Sequence, residues 1–258
     1  MENLPKAIVC IDEEETSIRE DGYLVTQPAK DRYEVLISAV AVTPESLILE
    51  NVLHTLGMSK NELSNSRLHM FSEDFIFENN ISHKATTSAV LVNFEIPLKG
   101  NKIISTNVSL GEVTLFKRMT YGQIAAYIHS SYPSSFKIES YVLNIFEREG
   151  IIPPFNKDKS SYGYLPPERD FVRKLIWMYN FACRNFCLEQ DIPYVGKPNK
   201  DYFEPGLATT GKFNCPFRNP LAALNSINLV HFLKYGIPYF SEEELEDLIQ
   251  RAEESIHV

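Results

Sequence analysis

The sequence predicts an α+β chain in which strands come first and helices follow. Two observations carry that reading. Between Lys6 and Leu115, short β-rich runs alternate with turn residues, and from Pro167 onward apolar residues recur at helical spacing. The composition supports a packed core. Of 258 residues, 44% are hydrophobic and 12% aromatic against 23% charged, which excludes a disordered chain and a disulfide-dependent mini-protein. Length allows one large domain or two small ones.

Lys6–Ile11 is a short apolar run that ends in carboxylates, as a buried strand does at its edge. Gly22–Thr26 and Arg32–Val42 are β-rich, and Pro28–Asp31 between them suits a turn. Thr43 followed by Pro44 and Glu45 predicts a capped helix running to about Leu56. Thr87–Pro97 and Lys102–Leu115 read as two strands joined in a hairpin at Lys99-Gly100-Asn101. Thr120–Ser130 and Phe136–Arg148 read as helices, broken near Tyr132-Pro133, and Pro153–Pro167 reads as a connection. The strongest helical period is Pro167–Gln190, with Phe171, Leu175, Met178, Ala182 and Phe186 on one stripe. Leu221–Leu233 and Glu242–Ile256 complete the helices. Ser241 and Glu244 have capping-box spacing at the start of the last one.

Charge narrows the function classes. The chain carries 25 basic and 34 acidic side chains, net −9, so a generally basic nucleic-acid binder is disfavoured while a local basic face is not. The imbalance sits at the two ends: residues 1–50 hold 4 basic and 11 acidic side chains, residues 241–258 hold 1 and 7, and residues 151–240 reverse the sign with 11 and 7. Such blocks fit ordinary surface variation. They also fit an anion lying on the third block beside carboxylates from the first. No stretch reaches 18 apolar residues, no signal peptide opens the chain, and its four cysteines lack C-x-x-C spacing, so a cytoplasmic protein without membrane contact is expected.

Three groups of residues can carry chemistry. Asp12, Glu13, Glu14, Glu15, Glu20 and Asp21 follow a predicted strand directly and could gather a hard cation through oxygen, or be a solvated acidic loop. Lys212-Phe213-Asn214-Cys215-Pro216-Phe217-Arg218 is an irregular aromatic segment whose Arg218 precedes a helix, where a guanidinium grips phosphate or braces a loop. Cys215 has no His partner at a readable spacing, so a thiolate nucleophile is disfavoured. Scattered histidines, and the absence of phosphate-cradling glycine motifs and of a G-x-S-x-G elbow, argue against zinc hydrolase, nucleotide-cofactor and serine-hydrolase chemistry.

Taken in order, several segments resemble the catalytic domain of the RNB family, the 3′→5′ exoribonucleases of ribonuclease II and ribonuclease R type. Ala7–Asp12 with Thr16 resembles the strand that ends in the opening metal-site Asp. Tyr33–Val42 with Pro44 resembles the next strand, Met58–Ser64 a turn, and Met119–Gln123 a helix start. Phe171–Phe186, with Asn180, resembles the long central helix, and Cys215-Pro216-Phe217-Arg218 the loop whose first Arg acts on the scissile phosphate. His231 matches a His in the helix after it.

The resemblance implies a single α+β domain spanning 1–258, with a mixed or antiparallel sheet and helices packed around it, metal ligands at Asp12, Glu20 and Asp21, a Mg²⁺ cofactor, catalytic roles for Glu20, Asp21 and Arg218, and RNA contacts from Lys212, Asn214, Arg218, Tyr179 and Asn180. The departures are as informative as the matches. Of the family's four Asp, Ile18 and Glu20 replace two, and Asn219 and Pro220 follow Arg218 where Arg and Tyr are expected. No segment remains for the flanking cold-shock and other barrels. Losing one charge clamp costs roughly 10²–10³ in rate, so these changes predict an RNA-binding protein with residual or altered hydrolysis. The alternatives are an inactive pseudo-ribonuclease acting as an interaction module, or an enzyme for another RNA-linked substrate. Single-stranded RNA or a tRNA 3′ end is the expected ligand, and the acidic last helix is a candidate surface for a protein partner.

Overall fold

A computed structural model of the protein describes residues 4–12, 14, 16–56, 70–97, 105–123, 167–196 and 211–255. Five strands close into a barrel: β1 (Lys6–Asp12), β2 (Asp21–Ala29), β3 (Arg32–Val40), β4 (Thr87–Pro97) and β5 (Ser105–Thr120). Four neighbouring pairs run antiparallel in chain order, and β5 returns to pair with β1 in parallel, Lys6 opposite Val113 and Asp12 opposite Thr120. The sheet predicted from sequence is therefore closed. Closure removes the edges that an open sheet would expose.

Strand alternation divides the core into two apolar layers. Val35, Ile37 and Ala39 of β3 join Val90, Val92 and Phe94 of β4 in one layer, against Leu175, Met178, Tyr179 and Ala182 of α3 (Pro167–Glu189); α1 and α2 precede it in the chain. Leu36 and Val40 join Ile8, Cys10 and Leu91 in the other. That layer packs Ala223, Leu224 and Ile227 of α4 (Pro220–Tyr235) with Leu245 and Leu248 of α5 (Glu242–Ser255). Both faces of β3 are covered, which is why Val35–Val42 reads as a near-continuous apolar run.

The helix predicted from Thr43 to Leu56 is two elements: a 3₁₀ turn at Pro44–Ser46 and α1 (Leu49–Leu56). Leu47 forms an isolated bridge with Phe71, and Ile48 N–H donates to Met70 O at 2.7 Å, so tertiary pairing interrupts the helix. The Thr43 side chain makes no capping bond. A short helix that the sequence reading did not foresee, α2 (Glu73–Asn79), starts at Ser72, whose Oγ accepts from Phe75 N–H at 3.3 Å. The Ser241–Glu244 capping box forms in both directions, at 2.8 and 3.2 Å. The Lys99–Asn101 turn, the Met58–Ser64 segment, the Phe136–Arg148 helix and nearly all of Thr120–Ser130 and Pro153–Pro167 lie outside the described residues. Among the described residues no helix is long and apolar enough to cross a membrane.

Gly22 fixes how closely β1 and β2 approach. A Cβ built there would lie 2.6 Å from Ile8 Cδ1 and 2.9 Å from Val9 O. This approach sets Asp21, at the head of β2, close to the end of β1. Gly22→Ala is expected to destabilise the fold by about 1–3 kcal/mol through overpacking against backbone. Urea unfolding at neutral pH measures it, and an unchanged midpoint would refute the assignment.

Candidate functional site at the β1–β2 turn

The turn from β1 to β2 is held by side chains from distant parts of the chain. Arg118 on β5 donates from Nη2 to the carbonyls of Glu14 and Thr16 at 2.7 and 2.9 Å. Arg19 donates from Nε to Ile81 O at 2.8 Å, and Asn80 bonds Arg19 N–H and Ser17 O. The ladder then resumes, with Val40 N–H on Glu20 O at 2.7 Å.

The second half of the site is the irregular segment 211–219, which side-chain amides shape in place of a strand partner. Asn180 on α3 is fully buried; its Oδ1 accepts from Phe213 and Asn214 N–H, and its Nδ2 donates to Asn214 Oδ1 at 3.0 Å. Ser226 Oγ donates to Phe213 O, and Asn225 Nδ2 to Lys212 O. Cys215 takes a left-handed conformation with φ 58°, and Arg218 and Asn219 N–H both return to its carbonyl. Asn219 then caps α4 through Ala222 N–H, with Pro220 in the first turn. The Phe217 ring seats between Phe71 and Phe75, with centroids 5.6 and 6.0 Å away.

The two halves meet at Glu20. Its side chain is completely buried. Oε2 accepts from Phe217 N–H at 2.6 Å, and Oε1 forms an ion pair with Arg218 Nε. Asp21 accepts from the Cys215 thiol at 3.2 Å, and Arg218 Nη2 lies 3.7 Å from the same sulfur. The Arg218 side chain remains 46% exposed. Asp12 is buried at the end of β1, and its Oδ2 has no hydrogen-bond partner. Asp12, Glu20 and Asp21 thus share one neighbourhood with Arg218, about two hundred residues later in the chain.

Burial dominates the electrostatics. It pushes Asp12 up to about 6, helped by the Asp21 charge and opposed by Arg218, Arg118 and Arg19. It pushes Glu20 up to about 7, against the pull of Arg218 and the Phe217 amide. The Cys215 thiol rises well above its ordinary range for the same reason, with Asp21 adding to the effect, so it is a neutral donor and not a nucleophile.

The sequence-derived site is redistributed. Glu20, expected as a metal ligand, spends both oxygens on the 217–218 backbone and side chain. Asn180 and Asn214, expected at RNA, have their amides bonded inside the protein because they hold the loop. Tyr179 is buried and walls, with Asp21, Tyr23, Ser38, Leu175 and Asn214, a cavity of about 30 Å³. That is room for about one water, not for a base. Lys212 is half-buried, and only it and Arg218 of the five expected RNA contacts reach the surface. Among the described residues no group of three or more His, Cys, Asp or Glu is arranged to hold a metal. Sequence reading missed Arg19 and Arg118, which lie in no motif and act through backbone carbonyls.

No family model matches the chain, and no curated protein matches its sequence. Solved structures do match its fold. An active-site variant of the Dss1 exoribonuclease from Candida glabrata superposes with a TM-score of 0.70 at 17% identity, over 98% of this chain and 46% of that one. Yeast Ssd1, a pseudonuclease, gives 0.68 at 11%, over 98% and 44%. Mycoplasma genitalium RNase R in complex with ribose-methylated single-stranded RNA gives 0.67 at 11%, over 98% and 54%. The chain therefore has the α+β fold of RNB-type exoribonuclease domains and spans about half the length of these proteins.

Asp12 gives a pH test. Folding raises its pKa from 3.8 to about 6. Between those values the folded chain holds a proton that the unfolded chain has released, so this group's contribution to stability falls as pH rises through the window. Asp12→Asn is expected to leave stability near pH 4 little changed and to raise it by about 1–3 kcal/mol at pH 7.5. Urea unfolding in EDTA at the two pH values checks this; a less stable variant at pH 7.5 contradicts it.

Proposed function

We propose that this protein binds single-stranded RNA through its RNB-type fold and does not hydrolyse it. The observation that carries the reading is the placement of Glu20. Glu20 is buried and committed to Arg218 and the Phe217 amide, which leaves Asp12 and Asp21 as the remaining carboxylates of the expected set. A half-exposed Arg218 retains the means to hold a phosphate. The fold neighbours support both halves of the proposal: one is an RNase R in complex with single-stranded RNA, and another is a pseudonuclease. Mg²⁺-dependent cleavage would have to rest on two carboxylates, one of them already bonded to a thiol.

End-labelled single-stranded RNA tests this in two ways. Incubation with Mg²⁺ or Mn²⁺ is expected to give no ladder beyond that of an Asp21→Asn control; a ladder that the substitution abolishes refutes the proposal. Filter binding is expected to weaken as salt rises, and Arg218→Ala to reduce the salt slope by roughly 0.7, as for one lost phosphate contact on a single strand. Competition with a tRNA 3′ end separates that ligand from an internal strand.

A protein partner on α5 is a second reading with its own observation. An open cleft of about 520 Å³ separates Pro193–Gly196 from α5, with Leu245 and Ile249 among its lining and the exposed carboxylates of Glu242 and Glu246 beside them. A basic, apolar peptide segment suits it. If RNA binding fails, a labelled alternating Leu-Lys peptide is expected to bind, and Glu242→Lys with Glu246→Lys to weaken it about tenfold where Glu73→Lys with Asp74→Lys does not.

A further inference from the structure

We infer that arginine side chains neutralise this acidic turn in place of a divalent cation, so that the site excludes the metal its fold implies. The inference rests on the RNB-type reading of the site and concerns this chain's own residues.

Charge is the first argument. Asp12, Glu20 and Asp21 carry three negative charges. Arg218 is ion-paired to Glu20, and Arg218, Arg118 and Arg19 all act on Asp12. Three guanidinium groups match these three carboxyl groups, so the trio has no net negative charge. Each arginine is fixed: Arg218 by Glu20, Arg118 by Glu14 O and Thr16 O, and Arg19 by Ile81 O. A small divalent cation sheds its water reluctantly and does so for concentrated anionic oxygen. A neutral cluster offers it no such return.

Donor geometry is the second argument. Glu20 has no oxygen left to offer. Its neighbour Asp21 turns to a different partner. Glu20 meets Phe217 in the layer of α4, and Asp21 lines the small cavity against Leu175 and Tyr179 of α3. Asp21 Oδ2 already accepts from Cys215. Ile18, standing where the resemblance calls for another ligand, packs into the apolar layer. What remains is Asp12, whose buried Oδ2 has no partner, and the second oxygen of Asp21. Carboxylate oxygen is therefore scarce for Mg²⁺, and water would have to fill most of its six-coordinate shell.

The test reads metal directly. Isothermal titration of the full chain with Mn²⁺ is expected to show no saturable site with a Kd below about 1 mM, and 5 mM Mg²⁺ or EDTA to leave the melting temperature within about 1 °C. Arg218→Ala removes a guanidinium from the cluster and frees Glu20 Oε1; it is expected to gain Mn²⁺ affinity by about tenfold or more. Arg118→Ala serves as an independent variant should that one fail to fold. Tight Mn²⁺ binding by the unaltered chain that Asp12→Asn abolishes overturns the inference, and so does an unchanged affinity in both arginine variants. Measuring RNA binding in EDTA keeps the two claims apart. Absence of RNA binding counts against the proposed function and leaves the metal result standing, whereas a metal site counts against the inference whether or not RNA binds.

Discussion

The contact between Glu20 and the 217–218 backbone and side chain is the constraint on which the site depends. A carboxylate with no solvent exposure is costly unless its oxygens are bonded. Here both are, one by an amide and one by a guanidinium. Removing either donor would leave a buried charge without compensation, an effect of about 3–5 kcal/mol for a broken buried pair. The pair therefore does more than place Arg218. It ties the mouth of the barrel, before β2, to the loop that launches α4, nearly two hundred residues later. The Phe217 ring locks the same loop from the other side by entering the cluster of Phe71 and Phe75.

A second design runs through the helices. Asn180, Asn225 and Asn228 are fully buried, yet none is left unbonded. A primary amide carries donors and an acceptor in the same spacing as a peptide group. Asn225 bonds both N–H and C=O of Val195, and Asn228 bonds both N–H and C=O of Phe240. Asn180 does comparable work at residues 213–214. Each helix thereby pairs with an extended segment as a neighbouring strand would. This explains how irregular backbone can lie buried beside a five-stranded barrel without orphaned polar groups.

Most of the elements could be read from the sequence because their signals are local. The two-sided apolar run of β3, the stripe of α3 and the Ser241–Glu244 box each report a contact within one element or its immediate neighbours. Closure of the barrel could not be read this way, because β1 and β5 pair across about a hundred residues with no turn between them to mark the register. The site was legible as a neighbourhood and not as a mechanism. Order along the chain brought Asp12, Glu20, Asp21 and Arg218 together. The resemblance suggested three carboxylates converging on one ion, whereas Glu20 turns to Phe217 and Arg218 and Asp21 to Cys215. Asn180 was conspicuous for its place on the central helix, but nothing in sequence distinguishes an amide that meets RNA from one that holds the loop next to it.

The same geometry explains why such a site can change without cost to the fold. Several carboxylates crowded at a barrel mouth repel one another and lose hydration, and a metal ion relieves both burdens only while it is bound. This chain relieves them internally. Ile18 supplies apolar contact where a charge would otherwise sit, Glu20 reaches a guanidinium because of its extra methylene, and the Cys215 thiol donates to Asp21 at a length suited to sulfur. What remains unrelieved is Asp12 Oδ2. The surface consequence is that Arg218, held from behind by Glu20, turns its remaining exposed nitrogens to solvent with its orientation already fixed, which lowers the entropic cost of meeting a phosphate.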